Sequence, residues 1–134
     1  MSPVLLRQIW KRAGNRCEYC HIPHPQFLLP FQVDHIIARQ HGGESTLENL
    51  ALACFHCNRY KGPNIAGRDP DTRELVRLFH PRTDIWSEHF ELSHARIVGR
   101  TSIGRTTVQV LSMNADDLLL VRLALIDEGG VDFQ

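Results

Sequence analysis

The chain has 134 residues, 43% of them hydrophobic, and its 15 basic and 15 acidic residues balance to a formal net charge of zero. This length suits one domain. No apolar run approaches the roughly 18 residues of a membrane span, and the first residues lack the apolar core of a signal peptide. We therefore expect a cytoplasmic protein without a membrane partner, in which disulfides are rare.

The balanced charge conceals a difference between the two halves of the chain. Residues 1–68 contain eight Lys or Arg and four Asp or Glu, a net +4, whereas residues 69–134 contain seven and eleven, a net −4. A basic half favours a polyanionic partner. Random scatter of charges is the open alternative, because the excess is far smaller than that of a dedicated nucleic-acid binder.

The first half of the chain predicts one strand–loop–strand–helix unit behind an N-terminal helix. Ser2 caps that first helix, Pro3 suits its first turn, and Gly14 with Asn15 ends it. The elements predicted next are a cysteine knuckle at 16–20, a proline-containing loop at 21–30, a strand at 31–37, a loop at 38–48, a strand at 50–53 and a helix at 54–61.

The second half predicts mainly helix, after a turn-rich connection at 64–70. The predicted elements are a helix at 72–79, a strand at 90–98, a helix at 102–113 and a helix at 115–128 that Gly129-Gly130 ends. Trp86 and Phe90 are expected to be packing residues. We divide the chain into a core at 1–68 and a C-terminal extension at 69–134 that packs on it.

All four cysteines lie in two Cys-x-x-Cys pairs, Cys17/Cys20 and Cys54/Cys57, and none is left over. Two such pairs can deliver four thiolates to a tetrahedral Zn²⁺. Four unrelated buried cysteines are the alternative, which the strict pairing disfavours. The 33 residues between Cys20 and Cys54 exceed a compact zinc ribbon, so further structure is inserted there. We predict a closed structural zinc site without an open position for catalysis.

A second set of candidate ligands lies between the cysteine pairs. Asp34 offers a hard anionic oxygen to Mg²⁺, and the neighbouring His35 offers an imidazole, which ionises near neutral pH and suits a general base. Adjacent strand residues point to opposite sides, so the two must meet at a bend or act on different sides of one phosphate. Alone, an Asp-His dipeptide is more often a surface or capping pair.

Several short motifs, taken together, resemble the HNH endonucleases, and more narrowly the branch with a four-cysteine zinc and a ββα-metal core. They are Cys17-x-x-Cys20, Val33-Asp34-His35-Ile36-Ile37, Gly42-Gly43, Leu47-Glu48-Asn49-Leu50 and Ala53-Cys54-x-x-Cys57-Asn58-x-x-Lys61-Gly62. The resemblance covers about residues 10–62. We therefore expect an α+β fold: a small zinc-stabilised ββα-metal core with an N-terminal helix and a mainly helical C-terminal extension.

The resemblance implies a role for each motif residue. His35 would be the general base that activates water, and Asn49 would fasten the long loop and help to orient His35. Asp34 and Asn58 would hold the catalytic divalent metal. Asn58 stands where the family name places a histidine, and this exchange of imidazole for carboxamide favours Mg²⁺ or Mn²⁺.

The reaction that the resemblance implies is metal-dependent hydrolysis of DNA phosphodiester bonds. Arg39, Arg59 and Lys61 are candidate phosphate contacts, with ordinary solvated charge as the alternative. Two other functions stay open. One is a non-catalytic, zinc-stabilised nucleic-acid-binding module, and the other is a protein-interaction adaptor. Neither needs the set formed by Asp34, His35, Asn49 and Asn58, so the sequence favours the enzyme.

Overall fold

The N-terminal helix α1 spans Pro3–Ala13 in the computed structural model, which describes residues 1–25 and 29–129. The Ser2 hydroxyl accepts a hydrogen bond from the Leu5 amide at 3.1 Å, as an N-cap does. Gly14 ends the helix with φ of 64°, a left-handed conformation that glycine adopts without steric cost. Both predicted ends of the first helix are therefore confirmed.

The centre of the first half is an antiparallel hairpin followed by a helix. Strand β1 spans Gln32–His35, strand β2 spans Leu50–Ala53, and His35 lies opposite Leu50. All four residues of β2 are buried, because helix α1 and helix α2 both contact this strand. Helix α2 spans Phe55–Lys61. The predicted strand–loop–strand–helix order is confirmed, with β1 shorter than the segment 31–37.

A second antiparallel hairpin pairs β3, Ala66–Arg68, with β4, Leu75–Arg77. The prediction of a helix at 72–79 is therefore wrong. The turn depends on Asp69, whose backbone amide donates to Glu74 O at 2.9 Å and whose carboxylate accepts two hydrogen bonds from Arg105. That distant arginine fixes the turn, and this tertiary contact overrides the local helix preference.

The extension continues with a short helix, a third hairpin and two longer helices. Their bounds are α3 at Trp86–His89, β5 at Phe90–Ser93, β6 at Arg96–Gly99, α4 at Ser102–Val110 and α5 at Asp116–Asp127. The predicted strand at 90–98 is thus two paired strands. The predicted helices at 102–113 and 115–128 correspond to α4 and α5. Of the predicted stop signal Gly129-Gly130, Gly130 lies outside the described residues.

One continuous apolar core joins the two halves. Phe90 is 1% exposed and belongs to the same buried cluster as Ile9 and Leu52. Trp86 packs against Phe90 with ring centroids 5.0 Å apart, and its indole N–H donates to Tyr19 O at 2.8 Å. Trp86 and Phe90 are therefore packing residues, as predicted. The α+β class is confirmed, whereas the division at residue 68 stays a prediction.

The segments 1–25 and 29–129 contain no helix whose length and hydropathy would let it cross a membrane.

Candidate active site beside a four-cysteine cluster

The four cysteines converge on one buried point. Their Sγ atoms all lie within 4.8 Å of one another, and each cysteine has a relative exposure of 0%. One knuckle follows α1, and the other begins α2, where the Cys54 sulfur caps the helix by accepting the Cys57 amide at 3.4 Å. In the first knuckle the Cys20 amide makes the same contact with Cys17 Sγ at 3.5 Å.

This geometry fits zinc. The Sγ atoms of Cys20 and Cys54 are 3.8 Å apart. When four sulfur atoms surround a zinc ion tetrahedrally at a Zn–S distance of about 2.3 Å, neighbouring sulfur atoms lie roughly as far apart as Cys20 and Cys54 Sγ do here. Amide donors to sulfur also favour the thiolate form that a metal needs. The predicted four-cysteine cluster is therefore confirmed, and its donors suit a closed structural zinc site.

A shallow cleft of about 310 Å³ lies beside this cluster, where β1 meets α2. Asp34, His35 and Asn58 all line it, together with Arg39. Asp34 shares a strand face with Gln32, and Gln32 contacts Asn58 of α2, so this face of β1 is turned toward the helix. The structure thus brings the predicted base, His35, and the two predicted oxygen donors, Asp34 and Asn58, to one cleft.

Asp34 is at the centre of a buried polar cluster. Its carboxylate is 5% exposed, and Oδ2 accepts a hydrogen bond from the Tyr19 hydroxyl at 2.6 Å. Lys61 donates to Oδ1 at 3.2 Å and also to His35 O at 3.1 Å. Burial raises the pKa of Asp34, and the nearby Lys61 charge and the Tyr19 hydrogen bond oppose this. Burial also raises the pKa of Tyr19 well above its usual value, so its hydroxyl remains a donor.

His35 is half-buried at the end of β1, and a hydrogen bond of 2.8 Å joins its Nε2 to Ser45 Oγ. Asn49 holds the loop that carries Ser45. Asn49 Oδ1 accepts from the Ile37 amide at 2.8 Å, and Nδ2 donates to Ile37 O at 3.0 Å and to Glu44 O at 2.9 Å. The Asn49 side chain therefore fastens the residue next to Ser45 against the end of β1.

Gly43 lets this loop pass close to the backbone after β1. A Cβ atom at position 43 would lie 1.7 Å from Ile37 O and 2.8 Å from Asn49 Nδ2. No side chain larger than hydrogen fits there. At the neighbouring Gly42, by contrast, a Cβ would meet nothing within 4 Å, although φ is 89°.

The amide of Asn58 is oriented by Gln32. Asn58 Nδ2 donates to Gln32 Oε1 at 2.8 Å, and no hydrogen bond of Asn58 Oδ1 occurs within residues 1–25 and 29–129. Asp34 Oδ1 accepts a single hydrogen bond, so it keeps a lone pair. These two hard oxygen donors at one cleft fit Mg²⁺ or Mn²⁺, which retain several waters when bound. The Lys61 charge beside Asp34 weakens the attraction for such a cation.

The predicted phosphate contacts divide into two groups. Arg39 and Arg59 are exposed, and Arg39 lines the cleft. Lys61 is 1% exposed and its ammonium is occupied by Asp34 and His35 O. A buried ammonium cannot reach a phosphate, so the role predicted for Lys61 is corrected to that of an internal counter-charge.

Sequence reasoning missed three polar neighbours of this site: Tyr19, Gln32 and Ser45. Gln32 had a usable signal, because it shares a strand face with Asp34. Tyr19 lies inside the first cysteine pair and Ser45 in a loop, where no periodicity indicates the direction of a side chain. Lys61 also had a signal, because it follows Cys57 by four residues and so lies on the buried face of α2.

The segment that contains the cleft residues is similar to a known protein family. The model of the HNH endonuclease family matches residues 17–64, which include both cysteine pairs and the cleft residues on β1 and α2. The resemblance stated from the sequence is therefore confirmed for this segment.

Septu protein PtuB of Bacillus thuringiensis is 25% identical over 127 residues, which cover 93% of this chain and 47% of PtuB. The chain thus spans about half the length of this curated relative. No solved structure gives a significant match.

Proposed function

We propose that this chain, whose residues 17–64 match the HNH endonucleases, is a metal-dependent endonuclease that hydrolyses DNA phosphodiester bonds. The observation that carries the proposal is the common cleft lined by His35, Asp34 and Asn58. Hydrolysis of a phosphodiester by activated water needs a base and a site for positive charge near one phosphate. The cleft offers a candidate for each.

His35 is the proposed general base. If Nε2 carries the ring proton and donates it to Ser45 Oγ, then Nδ1 has the free lone pair that accepts a proton from water. Ser45 would then fix both the ring orientation and the tautomer. Asn49 acts indirectly, because it holds the loop at Glu44 O, one residue before Ser45.

Asp34 and Asn58 are the proposed ligands of a divalent cation, through their free oxygen lone pairs. When bound, such a cation supplies positive charge that offsets the negative charge developing on the phosphodiester. Gln32 assists by keeping the Asn58 amide nitrogen away from the ligand position. Because Lys61 already neutralises part of the Asp34 charge, we expect the cation to bind weakly in the absence of DNA.

Arg39 and Arg59 are the proposed phosphate contacts. Both are exposed, and Arg39 lies on the rim of the cleft. Contacts of this kind fix the DNA backbone without reading the bases. We therefore expect little sequence preference from these two residues.

A zinc-stabilised nucleic-acid-binding module without catalysis is the second candidate, and one observation favours it. The ion pair between Lys61 and Asp34 is complete without a second cation. If that pair excludes a divalent ion, the cleft binds a DNA backbone but lacks the charge that assists bond cleavage.

A nicking assay on supercoiled plasmid separates the two candidates. The wild-type protein, checked for bound zinc, is incubated with Mg²⁺ or Mn²⁺ beside His35→Ala and His41→Ala. His41 is an exposed histidine of the same loop region and serves as the matched control. We expect nicking by wild type and His41→Ala and none by His35→Ala.

Two results would count against the endonuclease. Equal nicking by His35→Ala and wild type would remove His35 as the base. An inactive wild-type protein that still shifts DNA in a gel, with zinc retained, would favour the non-catalytic module.

A further inference from the structure

Arg122 of α5 is fully buried without a carboxylate partner. Its relative exposure is 0%, and no ion pair involving it occurs within residues 1–25 and 29–129. The guanidinium donates from Nη2 to Met113 O at 2.8 Å and from Nη1 to Ala95 O and to Asn114 Oδ1. Its Nε atom is buried and has no hydrogen-bond partner in that part of the chain.

These neutral acceptors do not balance the charge. An arginine remains protonated in a protein interior, and an isolated buried cation strongly destabilises the native state. Natural proteins therefore give a buried charge an anionic partner or a metal centre. Arg122 must have an anion nearby if the native state is to tolerate it.

The four-cysteine cluster, which is anionic once it holds zinc, is the candidate partner. Residues 111–113 form hydrogen bonds both to the second cysteine knuckle and to Arg122. On one side His56, inside the second cysteine pair, contacts Leu111 O at 3.1 Å and Ser112 O at 2.8 Å. On the other side Arg122 donates to Met113 O. The guanidinium and the second knuckle are thus bound to consecutive carbonyls.

The net charge of a zinc-bound cysteine cluster is consistent with a nearby Arg122. Zinc with four thiolates carries a net charge of −2. Burial is the largest influence on Arg122 and lowers its pKa, while the charges of all four cysteines oppose that effect. This direction agrees with the hydrogen bonds that the second knuckle and Arg122 both form to residues 111–113.

We propose that Arg122 is the counter-charge of a zinc–tetrathiolate centre, so that the metal is held jointly by the cysteine knuckles and the C-terminal helix. The core supplies the four ligands, and the extension supplies the positive charge that makes a buried dianion tolerable. The inference does not depend on nuclease activity, because it concerns only the zinc ligands and α5. It predicts that zinc affinity depends on a residue outside the segment that matches the HNH family.

The test measures zinc affinity of the full chain by competition with a chromophoric chelator. Arg122→Gln keeps amide donors but removes the charge, whereas Arg122→Lys keeps the charge. Arg105→Gln is the matched control, because Arg105 lies in the same extension but pairs with Asp69. We expect at least a tenfold loss of affinity for Arg122→Gln, and less than a threefold change for the other two.

Two outcomes of this titration would overturn the proposal. One is wild-type affinity in Arg122→Gln. The other is an equal loss in Arg105→Gln, which would indicate general destabilisation of the extension.

A second measurement covers the case in which Arg122→Gln does not fold. Co²⁺ is bound in place of zinc, and the thiolate-to-cobalt charge-transfer bands of wild type, Arg122→Lys and Arg105→Lys are compared. A compact ammonium places the positive charge differently from a guanidinium. We expect shifted bands for Arg122→Lys alone. Identical bands in wild type and Arg122→Lys would overturn the proposal.

Discussion

The ammonium of Lys61 lies 3.2 Å from each carboxylate oxygen of Asp34, in a place where both side chains are almost completely shielded from solvent. The pair joins the last residue of α2 to the strand that carries His35. Because Lys61 also donates to His35 O, it positions the backbone of the proposed base as well. A buried ion pair of this kind adds little to the net stability of a protein. Removal of one partner is strongly destabilising, because the other charge is then buried and unpaired.

We predict that Lys61→Met destabilises the protein by about 3–5 kcal/mol, because it leaves the Asp34 charge buried and unpaired. The double variant Lys61→Met with Asp34→Asn should be more stable than the sum of the two single changes implies. Urea unfolding of the four proteins, all loaded with zinc, measures this coupling. Additive losses would show that the two side chains do not depend on each other.

Ser45→Ala should lower the nicking rate by roughly fivefold, since the lost hydrogen bond to His35 is worth about 1 kcal/mol. The fold should be unaffected, because Ser45 is exposed. Ser45→Thr keeps the hydroxyl and serves as the control. Single-turnover rates at saturating DNA separate the effect on the chemical step from binding. A change in DNA affinity alone would contradict the positioning role.

The two adjacent glycines give a paired prediction about the loop. Gly43→Ala should cost about 3 kcal/mol or more, because its Cβ would collide with Ile37 O. Gly42→Ala should cost only about 1–2 kcal/mol, since it meets no atom and bears only the penalty of a positive φ. Thermal unfolding compares the two. Similar losses would mean that the loop adapts to a methyl group at position 43.

The ion pair at the second hairpin predicts a pH dependence of stability. Hydrogen bonds from Arg105 lower the pKa of Asp69 to about 2, below its value of roughly 3.9 in an unfolded chain. The stabilisation is therefore complete above about pH 4 and is lost as the pH falls toward 2.

Asp69→Asn supplies the comparison for this prediction. The gap in urea midpoint between wild type and Asp69→Asn should shrink across that window. Zinc release at low pH affects both proteins alike, so the gap isolates the ion pair. A gap that stays constant from pH 5 to pH 2.5 would be inconsistent with the low pKa of Asp69.

The elements around the cysteines could be predicted because their signals are local. A capped helix, two Cys-x-x-Cys knuckles, an apolar strand at 50–53 and a short helix after Cys54 each follow from adjacent residues. The order of these elements along the chain then predicts that Asp34 and His35 of the first strand lie near Asn58 of the helix. The hairpin formed by β3 and β4 could not be predicted in this way. Its turn is held by Arg105, which is 36 residues from Asp69 in the sequence.

Burial explains the misassignment of Lys61. A lysine next to a glycine at a helix end usually lies in solvent. The spacing from Cys57 places Lys61 on the buried face of α2 but does not identify the partner that makes its burial tolerable. Tyr19 and Asp34 supply that environment only after the first knuckle has folded against β1. Arg122 is comparable, because α5 is apolar on several sides and its one arginine is buried rather than exposed.

Tyr19 forms hydrogen bonds through both its backbone and its side chain. Trp86 from the extension binds its carbonyl oxygen, and its hydroxyl donates to Asp34 beside the cleft. The backbone and the side chain of one residue therefore join the extension to the polar cluster at the cleft. A phenylalanine at position 19 would keep the contact with Trp86 but leave Asp34 Oδ2 without the Tyr19 hydroxyl, so the two connections can be separated by substitution.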